Sequence, residues 1–249
     1  MFLELPLVLT HARYQFLETI RIPVAVIGAM FFPAASMIFF VVPVTGGNAT
    51  AATFATASMV VFATSTTCLF TYGIGVSEDR AQPWDPFVRT LPAGSWPRFA
   101  GRILNGTGFL VLSFLPVLVV AAVATEATAT PLQLLLAAGG LLAGAIPFTL
   151  MGLTIGYLLP SKAALAVAQL LFFPLAFGGG LMSAPGQAPG WVEPISPYLP
   201  TRGTAELLWS AVGDRSPDTT AVVMLGVWAV VMAVAATFAY RRDEGRRYS

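Results

Sequence analysis

Long apolar runs separated by short polar breaks occupy most of the chain. Six of them fall at Ile22–Val42, Ala52–Val76, Ile103–Ala124, Pro131–Leu159, Ala163–Met182 and Thr219–Tyr240, and none contains a formally charged residue. A helix needs about 20 apolar residues to cross the hydrocarbon core of a bilayer, so the pattern predicts an all-α membrane protein with six transmembrane helices in a single domain, 1–249. The fourth run is long enough to tilt, and Pro147 in its middle predicts a kink. The segment before the first run is different. At about 100° per residue, Glu4, His11, Gln15 and Glu18 share one face while Leu5, Leu9, Phe16 and Ile20 share the other. Residues 1–21 therefore read as an amphipathic helix lying in the headgroup plane, with Arg13 beside the apolar face and able to snorkel to phosphates. An interfacial anchor and a partner-binding element are both open for it. Its length and mixed charge predict an uncleaved start rather than a secretory leader.

The breaks are unequal. Most are short, but residues 77–102 and 183–218 form two long connections, and long ordered loops in a compact domain usually carry function. The first runs from Ser77 to Arg102 and sets Trp84 and Phe87 among charges of both signs, the composition of a protein interface; a solvated loop with an interfacial Trp is the plainer alternative. The second contains Pro185, Pro189, Pro194, Pro197 and Pro200, so it cannot be one continuous span, and Trp191 and Trp209 suit an interfacial depth. Within the fourth run, Gly140 and Gly144, then Gly152 and Gly156, form two small-xxx-small pairs that allow close helix approach, within the chain or to a second copy.

Composition agrees with this pattern. Of 249 residues, 56% are hydrophobic and 10% charged, with a mean hydropathy of +0.77, which excludes an ordinary soluble domain. The net charge of +1 gives no reason to expect a nucleic-acid partner. The distribution of basic residues is more telling. With the N-terminus inside, cytoplasmic segments hold Arg13, Arg21, Arg80, Arg89, Arg98, Arg102, Lys162, Arg241, Arg242, Arg246 and Arg247, against Arg202 and Arg215 outside. This asymmetry predicts that both termini are cytoplasmic.

The chemistry of catalysis is sparse. His11 is the sole histidine and Cys68 the sole cysteine, so multi-histidine and cysteine-cluster metal sites and an intramolecular disulfide are excluded. His11 reads as a polar-face residue and Cys68 as a small buried hydrophobe. No GxxxxGK[ST] phosphate loop precedes Lys162, the only lysine, so the chain has no recognisable ATP site of its own. The runs lack the intramembrane carboxylates typical of ion-coupled transporters. Phe31, Phe32, Met37, Phe39 and Phe40 in the first run and Thr64, Ser65, Thr66 and Thr67 in the second would suit an amphiphilic cargo, and ordinary bundle packing accounts for them equally.

In order and spacing, these elements resemble the membrane subunits, or permeases, of type-2 ABC exporters, the class that includes bacterial drug- and antibiotic-export permeases. The likeness spans nearly the whole chain. An amphipathic helix precedes six spans, and Glu78-Asp79-Arg80 after the second leads through an aromatic segment to Leu91-Pro92. A basic re-entry, Arg98 to Arg102, then opens the third. After the fifth come Gly178-Gly179-Gly180 and the stretch holding Trp191, Pro194 and Pro197. The chain departs from the common acidic-Arg-Glu-Gly-Thr pattern by having Arg80-Ala81-Gln82-Pro83.

The resemblance implies an ATP-dependent exporter in a bacterial cell membrane that moves amphiphilic small molecules. ATP and Mg would be bound by a separate cytoplasmic ABC ATPase, and a second permease copy or a paralogue would complete the pathway. Glu78, Asp79, Arg80, Trp84, Asp85, Phe87, Arg89, Leu91 and Pro92 would couple to the ATPase. Arg13, Phe16 and Glu18 would flank them on the interfacial helix, and Gly178, Gly179, Gly180, Trp191, Pro194 and Pro197 would form an external gate of short re-entrant helices between spans five and six. The competing readings are an ATP-independent secondary transporter or flippase, an intramembrane enzyme, and a non-transporting assembly or immunity subunit.

Overall fold

The computed structural model describes residues 4–21, 23–45, 47–83, 96–213 and 215–245, and the described residues contain helices and no strand. Helix α1 is Glu4–Ile20, α2 Pro23–Ser36, α3 Val42–Thr45, α4 Ala49–Ala81, α5 Trp96–Ala124, α6 Pro131–Leu158, α7 Ser161–Gly178, α8 Pro200–Val212 and α9 Thr219–Gly245. Five of these, α4, α5, α6, α7 and α9, are long and apolar enough to cross a membrane.

Local sequence explains where several begin. The Asn48 side chain accepts from the Ala51 amide at 3.0 Å and so caps α4. Thr130 and Gln133 form a reciprocal capping box at the start of α6, with Pro131 in the first turn, where a missing N–H costs nothing. Of the six apolar runs, the first is built differently from the rest. It is a helix in pieces, with α2 passing through a π turn, Met37–Val41, into the single turn α3. The Val42 amide bonds to the Met37 carbonyl, one residue further back than in an α-helix. Pro43 follows, has no N–H to donate and would crowd the Phe39 carbonyl, and a widened turn just ahead of it relieves that conflict.

α4 is the hub. It packs against α5, α6, α7 and α8, and 72% of its apolar window is buried, whereas the equivalent figure for α9 is 17%. Apolar surface gains little by leaving lipid for protein, so close packing must come from shape. Both glycine pairs of α6 supply it within the chain. A Cβ on Gly156 would lie 2.7 Å from the Tyr72 carbonyl oxygen, and one on Gly152 2.5 Å from that of Cys68, so the backbones of α6 and α4 approach directly there. A Cβ on Gly144 would lie 2.2 Å from Thr204 of α8, and one on Gly140 3.2 Å from Leu207. The open choice between self-packing and a second copy is thus decided in favour of self-packing for these four. Cys68 is buried and accepts from the Thr149 hydroxyl at 3.5 Å.

α8 lies in the proline-rich connection between the last two long helices. The segment 183–218 does hold a string of turns and a short 3₁₀ turn, Ser196–Tyr198, but its second half folds as a 13-residue helix packed among α4, α6 and α9. At ~1.5 Å per residue α8 is about 20 Å long, too short to span a bilayer alone.

Candidate functional site

Two polar ends and one cavity stand out from the apolar bundle. At the first end, Arg80 in the last turn of α4 joins three helices. Its Nε and Nη2 lie 2.9 and 2.6 Å from Asp243 Oδ1 on α9, and its Nη1 donates to the carbonyls of Gly156 at 2.7 Å and Leu159 at 3.4 Å at the end of α6. Asp243 is buried, and the planar guanidinium fork suits this bridging role better than an ammonium would. Arg102, near the start of α5, pairs with Asp79 on the adjacent face. This end also carries Lys162, Arg241 and Arg242 in the segments that adjoin these contacts. Of the residues expected to couple to an ATPase, Glu78, Asp79 and Arg80 therefore sit together where α4 ends. Trp84, Asp85, Phe87, Arg89, Leu91 and Pro92 lie outside the described residues.

α1 docks on α5 here. A Cβ on Gly101 would lie 2.6 Å from His11 Cβ, and the rings of Phe16 and Phe109 are 5.2 Å apart. On α1, Leu5 and Leu9 are exposed and Val8 is buried. The polar stripe with Gln15 and Glu18 turns towards the bundle, because a cavity rather than lipid lies beneath it. Arg13 is exposed, beside the apolar face.

The cavity has a volume of about 580 Å³, within the usual range for small-molecule sites. Its mouth is formed by Glu18 of α1, Glu78 and Asp79 of α4 and Arg102 of α5. Further in, α4 contributes Thr66, Thr67, Phe70, Thr71 and Ile74, α5 gives Asn105 and Phe109, and α7 gives Gln169, Phe172 and Phe173. Phe32 of α2 completes the wall. From Phe70 to Glu78 is eight residues, about 12 Å along the helix, so the aromatic rings of α4 and its carboxylates are offset along the cavity. The pathway residues read from sequence divide accordingly. Phe32, Thr66 and Thr67 line the cavity, Phe31, Phe39 and Phe40 point outward, and Met37 is in the core. The hydroxyls of Thr64, Ser65 and Thr66 bond to carbonyls of their own helix.

At the opposite end, α8 buries charge inside the bundle. Glu206 is wholly buried, with Oε1 3.0 Å from Arg202 Nε and Oε2 2.9 Å from Arg215 Nη1, an ion pair whose N–H does not aim at the oxygen. The Asp218 amide also donates to Oε2, at 3.2 Å. Both guanidinium groups lie over the Trp209 ring, at 5.0 and 5.8 Å from its centroid. The Trp209 indole N–H is shared between the Phe54 carbonyl and Ser58 Oγ, each at 3.1 Å. Trp209 is therefore packed inside the bundle. The apolar runs carry no charge, yet charge enters the bundle through the segment between them. An Arg and a Glu four residues apart, just after a proline suited to a helix start, were the available signal.

The expected gate residues split in two. Gly178 and Gly179 close the end of α7 against α8, where a Cβ on Gly179 would lie 2.0 Å from Thr201 Oγ1, and Thr201 Oγ1 donates to the Leu175 carbonyl at 2.5 Å. Gly180 takes a φ of +73°, which favours glycine, and turns the chain beside Arg202. Trp191 and Pro194 are exposed and Pro197 is half-buried, while Glu193 between the first two lies 3.7 Å from Arg202 Nη2 of the charged cluster.

The helices and their apolar outer surface define a multi-pass membrane protein. The chain is similar to the Bacillus subtilis (strain 168) protein named "Putative transport permease YvfS", with 24% identity over 187 residues, 75% of this chain and 76% of that one. No family profile matches the chain, and no solved structure does.

Proposed function

We propose that the chain is the membrane permease of an ATP-dependent ABC exporter for amphiphilic small molecules. In this reading α2 to α3 forms a first span and the five long helices the remainder, giving six, with both termini and the Arg80 end in the cytoplasm. A separate ATPase binds ATP and Mg, the chain itself does no catalysis, and a second permease, identical or paralogous, completes the pathway. α8 and the turns before it act as a re-entrant outer closure.

The observation that carries the proposal is the position of Arg80. The expected coupling segment begins in the last turn of α4, where Arg80 ties that helix to the ends of α6 and α9. Force applied to that segment by an ATPase reaches the central helix and two neighbours at once. The similarity to a protein named a transport permease supports the same class. The decisive experiment is co-purification with a cytoplasmic ATPase, followed by ATP-dependent transport into inside-out vesicles. Replacing Trp84 and Phe87 by Ala should weaken ATPase binding or uncouple hydrolysis from transport while membrane insertion persists. Unchanged assembly and transport in that variant would remove the coupling assignment.

The buried Glu206 favours a second reading, an ion-coupled transporter, because carboxylates inside a membrane bundle commonly carry ions. Against it, two guanidinium groups and an amide already occupy that carboxylate. Proton- or sodium-driven transport in vesicles lacking any ATPase would establish this reading instead.

A further inference from the structure

We infer that the cavity between α1, α4, α5 and α7 is a binding site for an amphiphilic organic cation, with its charged nitrogen at the Glu18–Glu78 mouth and its apolar body among the phenylalanines. The inference deepens the permease reading and rests on it only for the fate of the bound molecule. Three observations carry it. First, Asp79 is matched by Arg102, whereas among the described residues neither Glu18 nor Glu78 has an ion-pair partner, so the mouth carries uncompensated negative charge. Second, Gln15 Oε1, Thr67 Oγ1 and Asn105 Oδ1 are buried polar atoms without a hydrogen-bond partner, and all three belong to side chains of this cavity. Unpaired buried polar atoms are uncommon and costly. Turned inward, these cavity-lining side chains would pair the three atoms with a ligand that brings N–H or O–H donors. Third, Phe70, Phe109 and Phe172 offer an aromatic inner wall, which attracts cations as well as apolar rings. A phosphate or carboxylate ligand would meet like charge at the mouth.

The test uses the purified full chain in nanodiscs without any ATPase and ethidium as probe, a flat aromatic cation bearing amino donors. Ethidium should bind, fluorescein, an anion of similar size, should not, and added salt should weaken binding. Two partly exposed carboxylates are expected to contribute ~3-fold each, so Glu18→Gln with Glu78→Gln should weaken ethidium ~10-fold. Gln15→Leu and Asn105→Leu, made separately so that one misfolded variant does not end the test, should each weaken it while leaving a donor-free cation, tetraphenylphosphonium, unaffected. Nanodiscs of phosphatidylglycerol compared with others containing phosphatidylethanolamine distinguish a free cation from a lipid ammonium, since competition by the latter would identify the lipid headgroup as occupant. Equal binding of fluorescein, or no change in the carboxylate variants, overturns the inference. Ethidium binding without ATP-dependent export would leave the site standing and remove the exporter; export with no ethidium binding would do the reverse.

Discussion

The two polar ends of the bundle solve opposite problems with the same residue types. At the Arg80 end the charges sit at helix termini, and the Asp79–Arg102 pair is partly open to water. At the α8 end, Arg202 and Glu206 are taken inside and stacked on a buried Trp209. Burying ions carries a desolvation cost, and Arg202 Nη1 and Arg215 Nη1 lie buried without a hydrogen-bond partner, so the α8 end is intolerant of further loss. Exposed pairs cost and contribute little, so Asp79–Arg102, rather than the largely buried Arg80–Asp243 pair, is the contact at the other end that rearranges cheaply. A transporter needs one such end to receive motion and a firmer one to resist leakage.

Breaking the buried end should have the largest effect. Glu206→Ala strands two guanidinium groups and is expected to cost about 3–5 kcal/mol, read as a fall in thermal unfolding temperature in detergent. Replacing Arg202 by Met and Glu206 by Leu together should recover much of that loss, which separates an unpaired charge from lost packing. Gly156→Leu comes next. With the Tyr72 carbonyl 2.7 Å from the new Cβ, it should cost about 1–3 kcal/mol and do so independently of protein concentration, since the contact is within one chain. Trp209→Phe keeps the ring and loses the indole N–H, leaving the Phe54 carbonyl and Ser58 less satisfied. About 1–2 kcal/mol is expected, by the same melt. At the open end, Arg102→Ala should cost below about 1 kcal/mol, and the difference from wild type should fade in high salt. A large stability loss from Arg102→Ala would erase the contrast between the ends.

The positions of the long helices were readable because an uninterrupted apolar stretch has one cheap solution in a bilayer. The runs beginning at Ala52, Ile103 and Thr219 each fall within one helix, that beginning at Pro131 overruns its helix by one residue, and that beginning at Ala163 overruns by four, where Gly179–Met182 turn. Their rotation was not readable. A helix apolar all round carries no moment, so nothing in the sequence separated Phe32, which lines the cavity, from Phe39 and Phe40, which face outward. α8 was hidden for a related reason. Its prolines marked the segment as broken, but Pro200 begins a helix rather than ending one, and its charges read as solvated until α4, α6 and α9 were seen around them. The cavity was hardest to read, since Gln15, Thr67 and Asn105 belong to three helices that are brought together only by packing.

The π turn in the first apolar run has a history written into it. A π turn accommodates one residue more than the α-helix around it, and such turns are the structural mark of a single-residue insertion that a helix absorbed without shifting its flanks. Deleting one residue from Met37–Val41 should therefore leave Pro23–Ser36 and everything after Val42 in phase, with membrane insertion retained, at the cost of setting Pro43 against the carbonyl four residues before it. The same deletion within Thr56–Ser65 of α4 would turn every later side chain by about 100° and misalign Tyr72, Arg80 and the cavity wall together. Within the described helices, length variation is thus best absorbed at Met37–Val41, where the helix already carries a spare residue.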